Sequence, residues 1–344
     1  MPDRIGQRKQ EHIQICLSQQ VESGETGLRS FRFAHRALPQ IAMDEVDTSV
    51  AVWGKRFSFP LLISGMTGGT AEGERINRHL AQAAQRFGIG MGVGSQRAGI
   101  GQPQRMKTYQ VRDLAPDILL FANLGLVQLN YGFHEAECME AVQSIRADGL
   151  FFHANPFQEA AQQEGNHNFA GLMEKLAVLC RELPFPVLLK EVGFGVSAEV
   201  AQALAGTKLA GLDVAGAGGT NWAIVEAYRR RGQIPDRERA FYSEWGIPTA
   251  DSLREVRPVW PAERLLIASG GIRTGLDLAK VLALGADLGA MALPLLAPAV
   301  HSSEAVAERL QQLHSELKMV MFALGCQNIA ELKQCRLRSV QCFD

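Results

Sequence analysis

The run Gly149-Leu-Phe-Phe-His-Ala-Asn-Pro-Phe-Gln-Glu159 opens apolar and closes on His153, Asn155, Gln158 and Glu159. An imidazole can hold or move a proton near neutrality, amides both donate and accept, and a glutamate offers a hard oxygen to a divalent cation. A short apolar run halted by polar residues and proline predicts a buried strand feeding a loop. Other apolar runs end the same way: on Ser95, Gln96 and Arg97, on Asn123, and on Lys190. A lysine at such a position is costly to desolvate unless a ligand or carboxylate compensates it.

Glycines crowd the remaining ends, in Gly65-Met66-Thr67, Gly218-Gly219-Thr220 and Gly270-Gly271-Ile272-Arg273, with Ala215 before the second and Ala292-Leu293 after the last. Without a Cβ, a backbone can approach a ligand closely. Each glycine cluster alone reads equally as turn chemistry. Two at neighbouring late strands read as a phosphate cradle, where free N–H groups and a helix N-terminus favour an anion. The set suits a flat heteroaromatic cofactor with a phosphate tail, and flavin mononucleotide (FMN) fits that description. Arg8, Lys9, Arg97, His153 and Asn155 could converge on a second phosphate, with Glu159 on Mg²⁺. Glu159 reads as well as a member of an ordinary ion-pair network, and Arg8-Lys9 as a solvated pair.

The elements that must position these groups recur in a regular rhythm. Apolar runs predict strands at 60–64, 89–93, 118–122, 149–153, 186–190, 209–214, 265–268 and 288–293. Helical spacing separates them at 74–86, 135–146, 169–181, 197–204 and 274–284, and 303–324 predicts a closing helix. Eight alternating units point to an α/β (β/α)₈ TIM barrel, whose chemistry sits beyond the C-terminal strand ends. A doubly wound open sheet would advertise G-x-G-x-x-G after its first strand; Ser64-Gly-Met-Thr-Gly-Gly69 lacks that spacing. Residues 1–59 form an N-terminal extension contributing to the site, with a short amphipathic helix beginning near Arg8. Residues 60–325 form the barrel, and 326–344 a tail. An insertion over about 221–262, with a charged run at 228–239 and a second helix near 250–257, reads as a mobile flap.

The 344 residues carry a net charge of −1, which gives no electrostatic pull toward nucleic acid or a membrane surface. Six cysteines without C-x-x-C spacing read as reduced thiols, and no apolar run is long enough to span a bilayer. The polar N-terminus does not read as a signal peptide. The expectation is a cytoplasmic enzyme.

The motifs together resemble the type 2, flavin-dependent isopentenyl diphosphate isomerases. They run through Arg8-Lys9-x-Glu-His12, Met66-Thr-Gly-Gly69, Gly92-Val-Gly-Ser-Gln-Arg97, Phe121-Ala-Asn-Leu-Gly125, Gln128-Leu-Asn-Tyr-Gly132 and His153-x-Asn-Pro-x-Gln-Glu159. They continue through Lys190-Glu-Val-Gly-Phe-Gly195, Asp213-Val-Ala-Gly-Ala-Gly-Gly-Thr220, Trp245-Gly-Ile-Pro-Thr249 and Gly270-Gly-Ile-Arg273. The resemblance implies a (β/α)₈ barrel holding FMN, active when reduced, with NADPH as the reductant and Mg²⁺ on the substrate diphosphate. It implies that Gly65, Met66, Thr67, Ser95, Asn123, Lys190, Ala215, Thr220, Gly271, Ile272, Arg273, Ala292 and Leu293 hold FMN. Arg8, Lys9, Ser95, Gln96, Arg97, His153, Asn155 and Gln158 would hold the substrate, and Glu159 the metal. The implied reaction interconverts isopentenyl and dimethylallyl diphosphate, with the flavin as principal acid and base and Gln158 positioning or relaying, in a homo-oligomer. Three local departures stand out: Ala154 where the family has Leu, Gln163-Glu-Gly-Asn166 for Pro-Glu-Gly-Asp, and Ala215 where Ser is common.

A 2-hydroxy acid oxidase would need a His-Gly-x-Arg tetrad on a late loop, and none occurs. A related nucleotide dehydrogenase would need a cysteine at a strand end. A non-catalytic FMN or polyprenyl-phosphate binder would have no use for the Gln158-Glu159 pair.

Overall fold

The structure is a computed structural model and describes residues 4–340. Eight parallel strands close a barrel: β1 (Leu61–Ile63), β2 (Gly90–Gly92), β3 (Leu120–Gly125), β4 (Gly149–His153), β5 (Val187–Lys190), β6 (Gly211–Asp213), β7 (Leu265–Ala268) and β8 (Leu288–Met291). Each pairs with the next in sequence, and β8 returns to β1 through Gly289↔Leu61 to Met291↔Ile63. The expected strands are all present; most are shorter by one to three residues, because the outer residues of each run leave the ladder for the loops. β3 instead runs on to Gly125. The strands carry apolar residues on both faces because the barrel interior and the helical ring each bury one side. Leu61, Leu62 and Ile63 are at most 1% exposed.

The intervening helices follow the predicted order: Ala71–Phe87, Glu135–Ile145, Leu172–Glu182, Ala198–Ala205, Gly275–Ala283 and Ser303–Leu324. Thr70, Ser197, Thr274 and Ser302 accept backbone N–H groups at the starts of their helices, and Gly88 and Gly325 end theirs in the left-handed conformation. Such caps satisfy terminal backbone groups that would otherwise lose hydrogen bonds.

The first sixty residues hold more structure than their pattern suggests. The helix expected near Arg8 is Arg4–Ser18, fifteen residues long. Val50–Val52 and Lys55–Phe57 form a hairpin turned at Trp53 and Gly54, both with positive φ. That is the turn geometry whose twist suits two-residue hairpins, though Trp is an unusual residue in it. The hairpin sends Phe57 against Gly90, where a Cβ would sit 2.9 Å from the ring, and Trp53 edge-on to Phe121. It therefore packs against strands β2 and β3. Phe31–Phe33 pairs antiparallel with Leu337–Ser339, joining the extension to the tail.

Between β6 and β7 lie three helices, Trp222–Arg231, Asp236–Glu244 and Thr249–Val256. The charged run spans the end of the first and the start of the second. These two build a small core of their own from Phe194, Ala223, Ile224, Ala227 and Tyr242, with Phe157 packed against it. Phe157 stacks on Trp245 with ring centroids 5.2 Å apart.

Candidate active site

The strand register places three ionisable side chains on one level of the barrel rim. His153 pairs with Lys190, and Lys190 with Asp213, across β4, β5 and β6. Asn123 Oδ1 lies 2.8 Å from His153 Nδ1, so the imidazole donates from Nδ1. Asp213 is fully buried and accepts Ser269 Oγ at 2.8 Å and the Ala215 N–H at 3.1 Å. Burial raises the Asp213 carboxyl above its usual range, while Lys190 pulls it down. Burial likewise lowers Lys190, offset by Asp213 and Glu191. Burial first, then Lys190 and Lys9, hold His153 down to about 3, so it is neutral at pH 7.

This polar rim floors one cavity, with about 1640 Å³ of empty space including its mouth. At one end the glycine loops form a cradle. Gly218, Gly270 and Gly271 have φ of 105°, 100° and 69°, and a Cβ on Gly271 would overlap Thr26 and Gly218. The helix Leu293–His301 begins directly after β8, and Ala292 and Leu293 at its N-terminus line the same cavity. Arg273 is held down to about 10 by burial and pairs with the Glu22 carboxylate. Residues 21–26 cross over the cradle: Ser23 N donates to Gly219 O at 3.2 Å, and Thr26 O accepts from Ala250 N at 2.9 Å.

The other end is closed by the N-terminal helix. Lys9 Nζ donates to Ser95 O at 2.9 Å and Tyr109 Oη at 2.7 Å. Burial, with Arg8 and Arg105 nearby, lowers Lys9 to about 7. His12 Nε2 meets Glu226 Oε1 at 2.8 Å, and Arg229 donates to the other Glu226 oxygen at 2.7 Å. Arg229 reaches Glu11 at 3.0 Å and also Glu164, which lies 3.6 Å from Arg8. Gln162, with its amide oriented to satisfy both neighbours, donates to Glu226 and accepts from Arg8. The helix is thus clamped to the insertion by ions, and the insertion has the form of packed helices.

Asn155 Nδ2 donates to Gln158 Oε1 at 3.0 Å and to Glu159 Oε1 at 3.2 Å. Glu159 also accepts the Asn166 N–H at 2.5 Å, and Asn166 Oδ1 accepts from Arg97 at 2.9 Å and Gln128 at 3.1 Å. The altered loop at 163–166 therefore still closes on Glu159, with a neutral amide facing Arg97.

Of the sequence-predicted residues, Arg8, Lys9, Gly65, Met66, Thr67, Ser95, Arg97, Asn123, His153, Asn155, Gln158, Glu159 and Lys190 line this cavity. So do Ala215, Thr220, Gly271, Ile272, Arg273, Ala292 and Leu293. Gln96 is placed otherwise. Its side chain is fully buried and turned away, donating to Ala141 O at 2.8 Å and accepting the Asn123 N–H at 3.0 Å, so it braces β3. The motif spacing could not separate it from its neighbours. The residue list missed His12 and Trp222, which line the cavity, and Glu226 and Tyr109 behind them. His12 was findable, one helical turn from Arg8; the other three carry no pattern.

Three buried oxygens at the cavity wall, Ser64 Oγ, Thr67 Oγ1 and Asn155 Oδ1, have no partner among the described residues. Buried polar atoms are rarely left so, which fits a site built around polar ligands. The cradle fits a phosphate and the rim Asn123–Lys190 fits ring heteroatoms, as FMN requires. A lone carboxylate fits Mg²⁺, which usually takes one or two protein carboxylates together with phosphate oxygens. No cluster of three acidic, His or Cys ligands occurs among the described residues.

Barrel, cradle and rim define the class, an FMN-binding (β/α)₈ enzyme, and residues 128–339 match the FMN-dependent dehydrogenase family. (S)-mandelate dehydrogenase superposes with a TM-score of 0.67 at 17% identity, covering 97% of both chains. Flavocytochrome b2 gives 0.67 at 17%, covering 95% of this chain and 82% of the other. At such identities the likeness is one of fold. Closer relatives are isopentenyl-diphosphate delta-isomerases. That of a Synechococcus sp. is 49% identical over 332 residues, 96% of this chain and 95% of its own. That of a Nostoc sp. is 45% identical, covering 95% and 93%. That of Rickettsia canadensis is 43% identical, covering 96% and 97%. The chain belongs to the isopentenyl-diphosphate delta-isomerase family, in its FMN-dependent, type 2 form.

Proposed function

We propose that this enzyme interconverts isopentenyl diphosphate and dimethylallyl diphosphate. The reading rests chiefly on one observation: a glycine phosphate cradle and a separate cationic, amide-rich end share a single cavity. Reduced FMN, when bound, supplies an electron-rich face and an exchangeable proton to an alkene that ordinary carboxylic acids protonate poorly. Everything else falls to the chain. Arg8, Lys9 and Arg97 hold the diphosphate, and Glu159 offers its carboxylate to Mg²⁺ beside it. Remote binding of this kind orients the reacting carbons. Gln158, fixed through Asn155, keeps its amide N–H₂ available to position the alkene or relay a proton. The N-terminal helix closes over the diphosphate end and excludes water.

Substrate and product are isomers, so no electrons are consumed overall. NADPH serves only to reduce the flavin at the outset or after air oxidation. The test is anaerobic turnover in deuterated buffer. NADPH consumed per dimethylallyl diphosphate formed should fall toward zero while product gains deuterium. One NADPH per product would overturn the reading; a 2-hydroxy acid oxidase type of chemistry would instead show the substrate itself reducing the flavin, once per turnover, and dependence on an oxidant. The same reading places the enzyme in the cytoplasm as a homo-oligomer, to be checked by light scattering.

A further inference from the structure

Tyr109 lies outside every motif, yet it is fully buried where three elements of the site meet. Its Oη accepts from Lys9 Nζ at 2.7 Å and donates to Ser95 O at 2.8 Å. The Lys9 ammonium also stands 5.1 Å from its ring centroid. The ring fills the space beneath Gly68, where a Cβ would overlap it, and a Cβ on Gly69 would lie 3.1 Å from Oη. The phenol therefore touches the N-terminal helix and the loops after β1 and β2.

An ammonium has three donors. Ser95 O and Tyr109 Oη take two, which leaves Lys9 one N–H for the cavity it lines. A lysine has four rotatable stem bonds, and two fixed acceptors remove most of that freedom before a ligand arrives. We propose that Tyr109 is a positioning residue for the diphosphate end of the site, aiming the remaining Lys9 N–H at the substrate. This rests on the reading of Lys9 as a diphosphate ligand. Tyr109 itself touches no substrate. Its hydroxyl also favours the charged form of a lysine that burial holds to about 7.

The experiment compares Tyr109→Phe, Lys9→Ala and the double variant, each loaded with FMN. Phenylalanine keeps the ring under Gly68 and removes only the hydroxyl, so FMN affinity by absorbance titration should stay within about twofold. Tyr109→Phe should raise the isopentenyl diphosphate KM by about tenfold, the usual scale for a lost hydrogen bond to a charged group, with kcat little changed. The pH above which KM climbs should move downward, because the ammonium has lost an acceptor. The double variant should be no worse than Lys9→Ala. A normal KM for Tyr109→Phe beside an impaired Lys9→Ala, or effects that simply multiply, would overturn the positioning role alone. A normal KM for Lys9→Ala would remove the diphosphate reading of Lys9 and the positioning role with it.

Discussion

Gln158 and Glu159 are neighbours in sequence but share one anchor, the amide of Asn155. Gln158→Asn keeps the functional group and withdraws it by one methylene. Turnover should fall about tenfold or more, the cost of misplacing a catalytic group, with flavin content unchanged. Glu159→Gln keeps the shape and removes the charge, so the Mg²⁺ titration should shift to higher concentration and the substrate KM should rise; an unchanged titration would rule Glu159 out as the metal ligand. Lys9 gives a pH signature. Its ligand-free value of about 7 lies below the usual 10.5, so in that interval the folded protein holds fewer protons than the unfolded chain. Burial of the charged form therefore disfavours the fold below pH 7, and that penalty is relieved as pH rises. Substrate binding has the opposite slope, because a diphosphate wants the ammonium. The dissociation constant should climb about tenfold per pH unit above 7, until the pKa of the complex is reached. Lys9→Ala should abolish that climb.

The N-terminal helix owes its place to Glu226, whose side chain is entirely buried between His12 and Arg229. Removing Arg229 leaves one oxygen of this buried carboxylate without a partner, and breaking a buried pair commonly costs up to about 3–5 kcal/mol. Arg229→Ala should therefore release the helix: amide exchange over residues 4–18 should accelerate, measured by mass spectrometry, while the barrel strands stay protected. The same contrast explains what could be read in the sequence. Strand ends such as Asn123, His153 and Lys190 were legible because a barrel ties chemistry to the point where an apolar run stops. The hairpin 50–57 was hidden because its two strands are only three residues long. Glu226 and Tyr109 were hidden because their partners lie 214 and 100 residues away, and no local period records such a meeting.

Across the whole molecule, the cradle is held from above by a segment whose far end is sewn to the tail. Gly271→Val would force a branched residue into left-handed backbone against Thr26 and Gly218. Folded protein that purifies colourless is the expected result, read by circular dichroism and visible absorbance. Deleting 337–344 should have a related but milder effect. It removes the partner of Phe31–Phe33, so residues 21–26 should close less firmly over the cradle and FMN should dissociate faster in stopped-flow fluorescence.

That pairing also bears on how the protein is made. A ribosome delivers Glu22 and Thr26 early and the glycine loops of the cradle much later, but residues 337–339 only after the whole barrel. The cover is thus synthesised first and fastened last. Free flavin should find no closed berth on a nascent chain until that late strand has left the exit tunnel. Ribosome-bound chains carried clear of the tunnel by a linker after residue 336 should quench FMN fluorescence but release the flavin faster than chains carried clear by a linker after residue 344.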